Sequence, residues 1–291
     1  MGEFALIDEI VAQLGAQSRA AWVSTGPGDD ASVVQVAPQH EVVASIDSFL
    51  EGVHFPQGAP AKDVGYRTFM ASSSDLAAMA ARPRYALVAI SLPELNRDYI
   101  LELCQGMANA ANVCGMAICG GNLSKGPLNI TVSVHGEVAF GQGLLRSNAQ
   151  VGDLVQVSGP LGQAAACVRL QAYEQDAPLR DAYYRPRARL DLVDTLKTAT
   201  AAIDVSDGCL QDLGHIAQSS EVGISVHSQQ VPIGGGATLH DALWGGDDYE
   251  LIATANEQLD GFTVIGEVVK GSGVLLDGEP VDQKGYDHFR S

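Results

Sequence analysis

The sequence has few basic residues. Its 291 residues include 17 Lys and Arg against 35 Asp and Glu, a formal net charge of −18 at pH 7. Such a charge repels nucleic acid phosphates and anionic membranes at long range. We therefore expect neither nucleic acid nor membrane as a partner. A phosphorylated ligand would need positive charge from another source, and a divalent metal ion is the natural one.

Long apolar runs and paired cysteines are also missing. No stretch approaches the roughly 18 uninterrupted apolar residues that a membrane-spanning helix needs. The first residues do not combine a basic stretch with an apolar core, as a secretory signal would. The five cysteines are an odd number, and none belongs to a Cys-x-x-Cys pair. We expect reduced structural thiols and a cytoplasmic location.

Two common nucleotide-binding motifs are absent. The chain has no Gly-x-x-x-x-Gly-Lys-Ser/Thr loop, and it has no kinase-type glycine-rich loop combined with a catalytic His-Arg-Asp. Any phosphate chemistry must therefore use other residues.

The hydrophobic pattern predicts two mixed α/β domains, an α/β (α+β) fold class, and the length agrees with two compact domains. The Gly-rich and polar segment 141–153 is the expected connection, with a boundary near residue 145 and domains 1–145 and 146–291. The elements expected in the first domain are helices over 4–14, 61–81 and 97–113 and strands over 32–36, 41–46, 85–92, 116–119 and 128–139. Those expected in the second are helices from about 161, over about 187–198 and over 209–219, and strands over 154–157, 201–205, 223–227, 249–254, 262–268 and 273–276.

Aspartates recur at predicted strand ends or beside glycines. Ser45 and Asp47 are two residues apart in a predicted strand, so both can present oxygens to one ion. Asp204 and Ser206 repeat this spacing, and Asp207 follows at a predicted helix entrance. Strand ends and adjoining loops are where α/β folds build their sites. These residues are therefore candidate ligands.

Each motif taken singly also has a structural explanation. Asp30 follows a Gly-Pro-Gly turn, Asp75 could cap a helix, and His54 could be a packed histidine. Gly120 and Gly121 could let backbone amides approach a phosphate, or they could form a plain turn. The motifs are informative mainly as a set.

Converging carboxylates favour a metal ion. Two of them a few ångströms apart repel by roughly 1 to 4 kcal/mol at the effective dielectrics of water and a protein surface. A divalent cation converts this repulsion into binding. Mg²⁺ fits better than Zn²⁺, because the chain has no His and Cys array.

The motifs together resemble those of one family. In their order and spacing, six motifs of this chain resemble those of the thiamine-monophosphate kinases. They are Gly28-Asp-Asp-Ala, Ser45-Ile-Asp-Ser, Ser74-Asp-Leu-Ala-Ala-Met, Gly120-Gly-Asn, Asp204-Val-Ser-Asp-Gly and Gly246-Asp-Asp-Tyr-Glu-Leu. The likeness covers essentially the whole chain. It implies an aminoimidazole ribonucleotide synthetase-like fold, several Mg²⁺ ions, ATP as co-substrate and thiamine monophosphate as acceptor. It also implies a homodimer to which the N-terminal sheet contributes, with ATP and Mg²⁺ binding in the N-terminal domain.

The resemblance also implies roles for individual residues. Those implied as catalytic are Asp30, Asp47, Asp75 and Asp207. The implied metal ligands are Asp30, Ser45, Ile46, Asp47, Asp75, Asn122, Asp204 and Asp207. The implied nucleotide contacts are Gly121, Asn122, Arg146 and Ser206. The implied contacts to thiamine monophosphate are His54, Asp247 and Tyr286, and a carboxylate and an aromatic ring suit a thiazolium cation.

Three positions depart from the family pattern. Asn122 replaces an aspartate and offers a neutral amide oxygen, so one metal ion is expected to bind more weakly. Asp247 replaces a glutamate, and Ile46 replaces a frequent threonine, which leaves only its carbonyl for a metal.

The expected reaction is direct in-line attack by the phosphate oxygen of thiamine monophosphate on the γ-phosphorus of ATP, with charge neutralised by Mg²⁺ and Arg146. One alternative is ATP-dependent synthesis on another acceptor. Selenophosphate synthesis is disfavoured because no reactive Cys precedes Gly28. Hydrogenase maturation is disfavoured because the chain ends in His-Phe-Arg-Ser, without a terminal Cys. A second alternative, suggested by Asn122, is a nucleotide or thiamine-phosphate binding protein without turnover.

Overall fold

The computed structural model describes residues 3–28, 30–175, 177–282 and 285. The chain divides into two compact units. The first consists of Met1–Leu76 and Ala81–Gly141, and the second of Ala77–Ala80 and Gln142–Ser291. After Gly141 the chain passes from the first unit to the second, close to the boundary predicted near residue 145. That Ala77–Ala80 belong to the second unit was not predicted.

The first unit combines three helices with a four-stranded sheet and a small two-stranded one. Its elements are α1 (Glu3–Leu14), β1 (Val23–Thr25), β2 (Val33–Val34), β3 (His40–Leu50), α2 (Ala61–Ala78), β4 (Arg82–Leu92), α3 (Arg97–Cys114), β5 (Ala117–Lys125) and β6 (Asn129–Ala139). The order in the larger sheet is β3-β6-β4-β5, and β1 pairs with β2. Strand β3 is thus an edge strand.

The two faces of the first unit's larger sheet differ. Ser45 and Asp47 of β3 lie on the face next to α2, where Ser45 Oγ donates to Asp75. On the other face, the side chains of Val42, Ile46 and Leu50 are 53%, 63% and 40% exposed. This alternation follows the two-residue period of a strand. At β3 the sheet therefore has one covered face and one face, here called the open face, that carries exposed apolar side chains.

The second unit is built on a seven-stranded sheet of order β13-β12-β9-β11-β7-β10-β8. Its strands are β7 (Leu154–Val157), β8 (Ala201–Asp204), β9 (Gly223–Val226), β10 (Leu251–Ala255), β11 (Thr263–Val269), β12 (Gly273–Leu276) and β13 (Glu279–Pro280). Its helices are α4 (Gln163–Leu170), α5 (Ala177–Tyr184), α6 (Cys209–Ser220) and α7 (Leu239–Trp244).

The seven-stranded sheet is buried on both faces at β8 and β10. All residues of β8 and β10 are buried. Ile203 and Ile252 belong to one apolar core, whereas their neighbours Ala202 and Leu251 belong to another. Because successive side chains point to opposite faces, each strand supplies both cores. This explains why these strands read as continuous apolar runs.

The prediction of a helix over 187–198 was wrong. This stretch forms short 3₁₀ turns at Leu190–Leu192 and Thr195–Thr198, and the helix precedes it as α5. Pro186 disfavours a helical conformation at the preceding residue. Arg189 is also held away from solvent, since its Nη1 donates to Ser158 O at 2.9 Å and to Glu250 at 2.5 Å. Tertiary bonds therefore override the local helical pattern.

The expected end of a strand at residue 119 was also wrong. Strand β5 continues through Gly120, Gly121 and Asn122 to Lys125, paired in parallel with β4. A Cβ on Gly121 would lie 1.9 Å from the carbonyl oxygen of Val88, so this position needs glycine for strand packing. The strand expected over 32–36 shortens to β2, and neither α7 nor β13 was predicted.

Within the described part of the chain, no helix is both long and apolar enough to cross a membrane.

Candidate functional site

The first unit presents a carboxylate pair between β3 and α2. Asp47 and Ser45 share one face of β3, and Ser45 Oγ donates to Asp75 Oδ2. Asp75 lies inside α2 (Ala61–Ala78), so it is not the helix cap that its position after three serines could suggest. The structure thus joins three of the predicted metal ligands. We call Ser45, Asp47 and Asp75 the strand cluster.

The strand cluster carries an electrostatic penalty. Burial, followed by the nearby charge of Asp75, raises the pKa of Asp47 from 3.8 to about 6. Both causes disfavour the charged form of an acid. Asp47 is nonetheless mostly ionised at neutral pH, and a cation bound beside it would remove the penalty.

Other predicted ligands of the first unit lie apart from the strand cluster. Across the four strands, Asp47 of β3 is in register with Val88 of β4 and Gly121 of β5. Asn122, the next residue of β5, pairs with Ala89 instead. Since neighbouring residues on a strand face opposite ways, Asn122 lies on the open face of the sheet. Ile46 also projects to that face, with its side chain 63% exposed.

The segment that carries Asp30 contacts strand β5. Asp30 is exposed in a bend, and Ser32 Oγ donates to Cys119 O at 2.5 Å. Strand β5 is at the edge of the sheet opposite β3. The structure therefore places the loop of Asp30 near Gly120 and Gly121 rather than beside Asp47. Asp29, which precedes it, is outside the described residues.

His54 is held in one orientation by the turn after β3. The backbone N–H of Leu50 donates to His54 Nδ1 at 3.0 Å, and Arg67 Nε donates to His54 O at 3.4 Å. The ring also packs edge-on against Phe49, with centroids 5.7 Å apart. Because Nδ1 accepts a hydrogen bond, the neutral ring carries its proton on Nε2. His54 is thus arranged as an Nε2–H donor.

The second unit brings its acidic residues together on a loop between β8 and α6. Asp204 ends β8 and is 3% exposed, and Ser206 and Asp207 lead into Gly208, which precedes α6. We call Asp204, Ser206 and Asp207 the loop cluster. The structure places all three predicted residues within one short segment.

A buried aspartate missed in the sequence organises this loop. Oδ2 of Asp212, in the first turn of α6, accepts the backbone N–H groups of Ser206, Asp207 and Gly208 at 3.2, 3.3 and 3.2 Å. Burial, and then the charges of Asp204 and Asp207, raises the pKa of Asp212 well above its ordinary value. Its position four residues after Gly208, at a predicted helix entrance, was the available signal.

The segment from Gly245 to Glu250 runs beside the loop cluster. The N–H of Asp247 donates to Ser206 O at 2.9 Å, and that of Tyr249 donates to Val205 O at 2.8 Å. Both residues have positive φ, 70° and 53°, in the left-handed region, which non-glycine residues seldom adopt. Tyr249 Oη donates to Asp247 Oδ1 at 2.8 Å. Asp247 is therefore positioned by Tyr249, a residue that the sequence did not indicate.

The two acids that follow Asp247 have structural partners. Asp248 Oδ2 accepts the N–H of Gly162 at 2.7 Å, and burial raises the pKa of Asp248 well above its ordinary value. Glu250 is paired with Arg189 at 2.5 Å. Of the three acids in this segment, Asp247 is a predicted substrate contact, whereas Asp248 and Glu250 bond to other parts of the protein.

The remaining predicted contacts are less defined. The side chain of Arg146 is exposed, and its carbonyl accepts a hydrogen bond from Ser220 Oγ at 2.8 Å. Tyr286 is outside the described residues. Gly285, just before it, has its N–H bonded to Gln211 Oε1 at 2.6 Å, and a Cβ there would lie 2.1 Å from Asp207 O.

The oxygen donors of the strand cluster fit Mg²⁺. In the described part of the chain, no three or more His, Cys, Asp and Glu side chains are grouped as a ready metal site. Mg²⁺, however, usually takes only one or two carboxylates and completes its shell with water and substrate phosphates. Burial and then the charge of Asp75 raise the pKa of Asp47, and a bound cation would relieve the repulsion between the two carboxylates.

Comparison with known proteins identifies close relatives of the sequence. The family model of the AIR synthase related protein, N-terminal domain, matches residues 28–138. The thiamine-monophosphate kinase of Salmonella typhimurium is 34% identical over 325 residues, which cover 99% of this chain and 98% of the relative. The resemblance seen in the motifs therefore extends over nearly the whole sequence.

Two solved structures are similar over the same extent. Thiamine-monophosphate kinase from Stenotrophomonas maltophilia K279a is 38% identical with a TM-score of 0.87, covering 97% of this chain and 98% of that one. AaThiL complexed with AMPPCP and TMP is 33% identical with a TM-score of 0.82, covering 99% and 97%. These similarities confirm the predicted mixed α/β, aminoimidazole ribonucleotide synthetase-like fold.

Proposed function

The chain belongs to the thiamine-monophosphate kinase family, and we propose that it transfers the γ-phosphate of ATP directly to thiamine monophosphate, giving thiamine diphosphate and ADP. The observation that carries this proposal is the similarity, over 99% of the chain, to a protein complexed with AMPPCP and TMP. The strand cluster and the loop cluster supply oxygen donors of the kind that such a reaction needs.

The nucleophile needs little activation. The attacking atom is a phosphate oxygen of thiamine monophosphate, which is already ionised at neutral pH. The in-line displacement therefore requires positioning and charge neutralisation rather than a strong general base. Asp30, Asp47, Asp75 and Asp207 accordingly act by holding metal ions, and none of them needs to move a proton.

Each unit supplies proposed Mg²⁺ ligands. We assign Ser45, Asp47 and Asp75 with Asp30 and the carbonyl of Ile46 in the first unit, and Asp204 and Asp207 in the second. Bound Mg²⁺ supplies positive charge to the phosphates, which a chain with a net charge of −18 largely lacks. Asn122 could add a neutral oxygen.

The remaining contacts divide between the two substrates. His54, whose Nδ1 accepts the Leu50 N–H and whose neutral ring therefore carries its proton on Nε2, would bind the phosphate of thiamine monophosphate. Asp247 and Tyr286 would bind the thiazolium cation. Gly121, Asn122, Arg146 and Ser206 would contact the nucleotide. The N-terminal domain, residues 1–145, would carry the larger share of ATP and Mg²⁺ binding, and the C-terminal domain is residues 146–291. The cytoplasmic location stays a prediction.

A homodimer through the first unit's sheet is part of the proposal. The open face carries Val42, Ile46, Leu50 and Leu87, which are 53%, 63%, 40% and 37% exposed. Exposed apolar side chains on one face of a sheet are typical of a subunit interface. Ile46→Glu should give a monomer in analytical ultracentrifugation, whereas Asp98→Ala, at an exposed position of α3, is the control. A wild-type monomer at micromolar concentration would contradict this interface.

The decisive experiment measures ADP release with Mg²⁺ and ATP, with and without thiamine monophosphate, and identifies the product by mass spectrometry. We expect ADP only when the acceptor is present, in equal amounts with thiamine diphosphate, and none in EDTA. Turnover with a different acceptor alone would overturn the proposal. Binding of both ligands without product would instead support a protein without turnover.

A further inference from the structure

The loop between β8 and α6 has an unusual arrangement of backbone N–H donors. The N–H groups of three successive residues, Ser206, Asp207 and Gly208, converge on a single point. Converging backbone N–H groups at the start of a helix are an arrangement that proteins use to bind phosphate oxygens. In this chain the point of convergence is already filled by Oδ2 of Asp212.

Asp212 cannot easily leave this position. Its side chain is 1% exposed, and its own backbone N–H donates to Gly208 O at 2.9 Å in the first turn of α6. The carboxyl oxygen is therefore anchored by the helix to which it belongs. A phosphate of a ligand would have to displace a buried side chain to reach these donors.

The loop has supports other than Asp212. The N–H groups of Asp247 and Tyr249 donate to the carbonyls of Ser206 and Val205 at 2.9 and 2.8 Å. On another side, Gly208 has φ 127°, and a Cβ there would lie 2.9 Å from Trp244 O. These contacts should keep the three N–H groups convergent when the Asp212 carboxyl is removed.

We propose that Asp212 is a positioning residue that occupies the amide cradle of residues 206–208, so that nucleotide phosphates bind beside this loop only through metal held by Asp204 and Asp207. The inference rests on the proposed kinase function for the identity of the nucleotide. In the cradle itself, Asp212 takes the place that a phosphate oxygen would otherwise take. Ser206 then has only its hydroxyl to offer to the nucleotide.

The test compares wild type, Asp212→Ala and Asp212→Asn by isothermal titration calorimetry with ADP and with inorganic phosphate, each in EDTA and in Mg²⁺. Asn keeps an oxygen that can accept the three N–H groups, whereas Ala empties the cradle. We expect wild type and Asp212→Asn to bind ADP only with Mg²⁺. Asp212→Ala should gain at least about tenfold in affinity for inorganic phosphate in EDTA, because several N–H groups become available to an anion.

Asp181→Ala is the matched control, because it removes one exposed carboxylate of the second unit and leaves the cradle intact. It should show no gain in phosphate affinity. If Asp212→Ala fails to fold, as judged by thermal unfolding, Asp212→Ser serves in its place, because its hydroxyl is too short to reach all three donors.

Two results would overturn the inference. One is wild-type binding of ADP in EDTA as tight as in Mg²⁺. The other is a folded Ala or Ser variant with no increase in phosphate affinity. Neither measurement uses thiamine monophosphate, whereas the test of the kinase function depends on it, so a failure of one can be told from a failure of the other.

Discussion

The strand cluster and the loop cluster are both acidic, but their carboxylates are held in different ways. In the first unit, Asp47 and Asp75 project from regular elements and meet through side chains, with Ser45 between them. In the second unit, Asp212 receives three backbone N–H groups and supports the loop that carries Asp204 and Asp207.

The difference separates two uses of an aspartate. A carboxylate that faces another carboxylate destabilises the fold unless a cation is bound, and at Asp47 the charge of Asp75 adds to burial in raising the pKa. A carboxylate bonded to backbone N–H groups or to an arginine has hydrogen-bond donors from the protein in the absence of any ligand, although burial also raises the pKa of Asp212. The strand cluster should therefore be dominated by function, and several aspartates of the second unit by structure.

The largest expected effect is on turnover. Asp47→Asn and Asp75→Asn should each lower kcat/KM for Mg²⁺-ATP by about 10²- to 10³-fold, because a charged oxygen is replaced by a neutral amide at a proposed metal ligand. Steady-state kinetics across a Mg²⁺ titration would measure this, with Ser48→Ala on the same strand as control. Full activity of both variants would remove the strand cluster from the site.

A second effect concerns structure alone. Arg169 donates to both oxygens of Asp241 at 2.9 and 2.7 Å, and these bonds, followed by the N–H and hydroxyl of Thr238, lower the pKa of Asp241 to about 2. Arg169→Met should reduce the free energy of unfolding with kcat unchanged, because Asp241 then loses two hydrogen bonds.

The pH dependence of this effect follows from the lowered pKa. Stability from the Arg169 and Asp241 pair is fully present above pH 4 and is lost as pH falls through about 2. Denaturant unfolding of both proteins at pH 7 and at acid pH would check this. A loss of activity at unchanged stability would show that the pair is not merely structural.

A smaller effect should appear in the stability of the strand cluster without metal. The folded-state pKa of Asp47, about 6, is above the ordinary 3.8. The folded protein therefore binds this proton more tightly than the unfolded chain, and the contribution of Asp47 to stability falls between about pH 4 and pH 6. In EDTA, Asp47→Asn should match wild type near pH 4 and exceed it above pH 6, by on the order of 1 kcal/mol.

Thermal unfolding of the two proteins over this pH range, with and without Mg²⁺, would measure the difference. Mg²⁺ should raise the Tm of wild type more than that of the variant, because it binds the folded site. Equal pH profiles in EDTA would indicate that Asp47 carries no penalty, and the contrast between the clusters would then fail.

The smallest effect is expected at Asn122. It lies on the open sheet face, opposite the face of Asp47, so Asn122→Asp should change the Mg²⁺ dependence of a strand-cluster site by less than about threefold at physiological salt. Kinetics at several Mg²⁺ concentrations would show this. A large gain in turnover would mean that Asn122 takes part in metal binding in the assembled enzyme.

The sequence by itself determined the elements with strong periodicity and the residues they carry. Strand spacing placed Ser45 and Asp47 on one face, and the structure agrees. The helices α2 and α3 begin at the predicted residues, 61 and 97. The aspartate motifs also predicted the family, because their order and spacing survive in the linear sequence.

Only the tertiary structure decided which carboxylates serve as ligands and which as supports. Asp248 accepts the backbone N–H of Gly162, which is 86 residues away in the sequence, so spacing does not relate the two groups. The extension of β5 through Gly120 and Gly121 likewise depends on pairing with β4. Local periodicity follows from covalent geometry, whereas hydrogen bonds between distant segments exist only once the chain has folded.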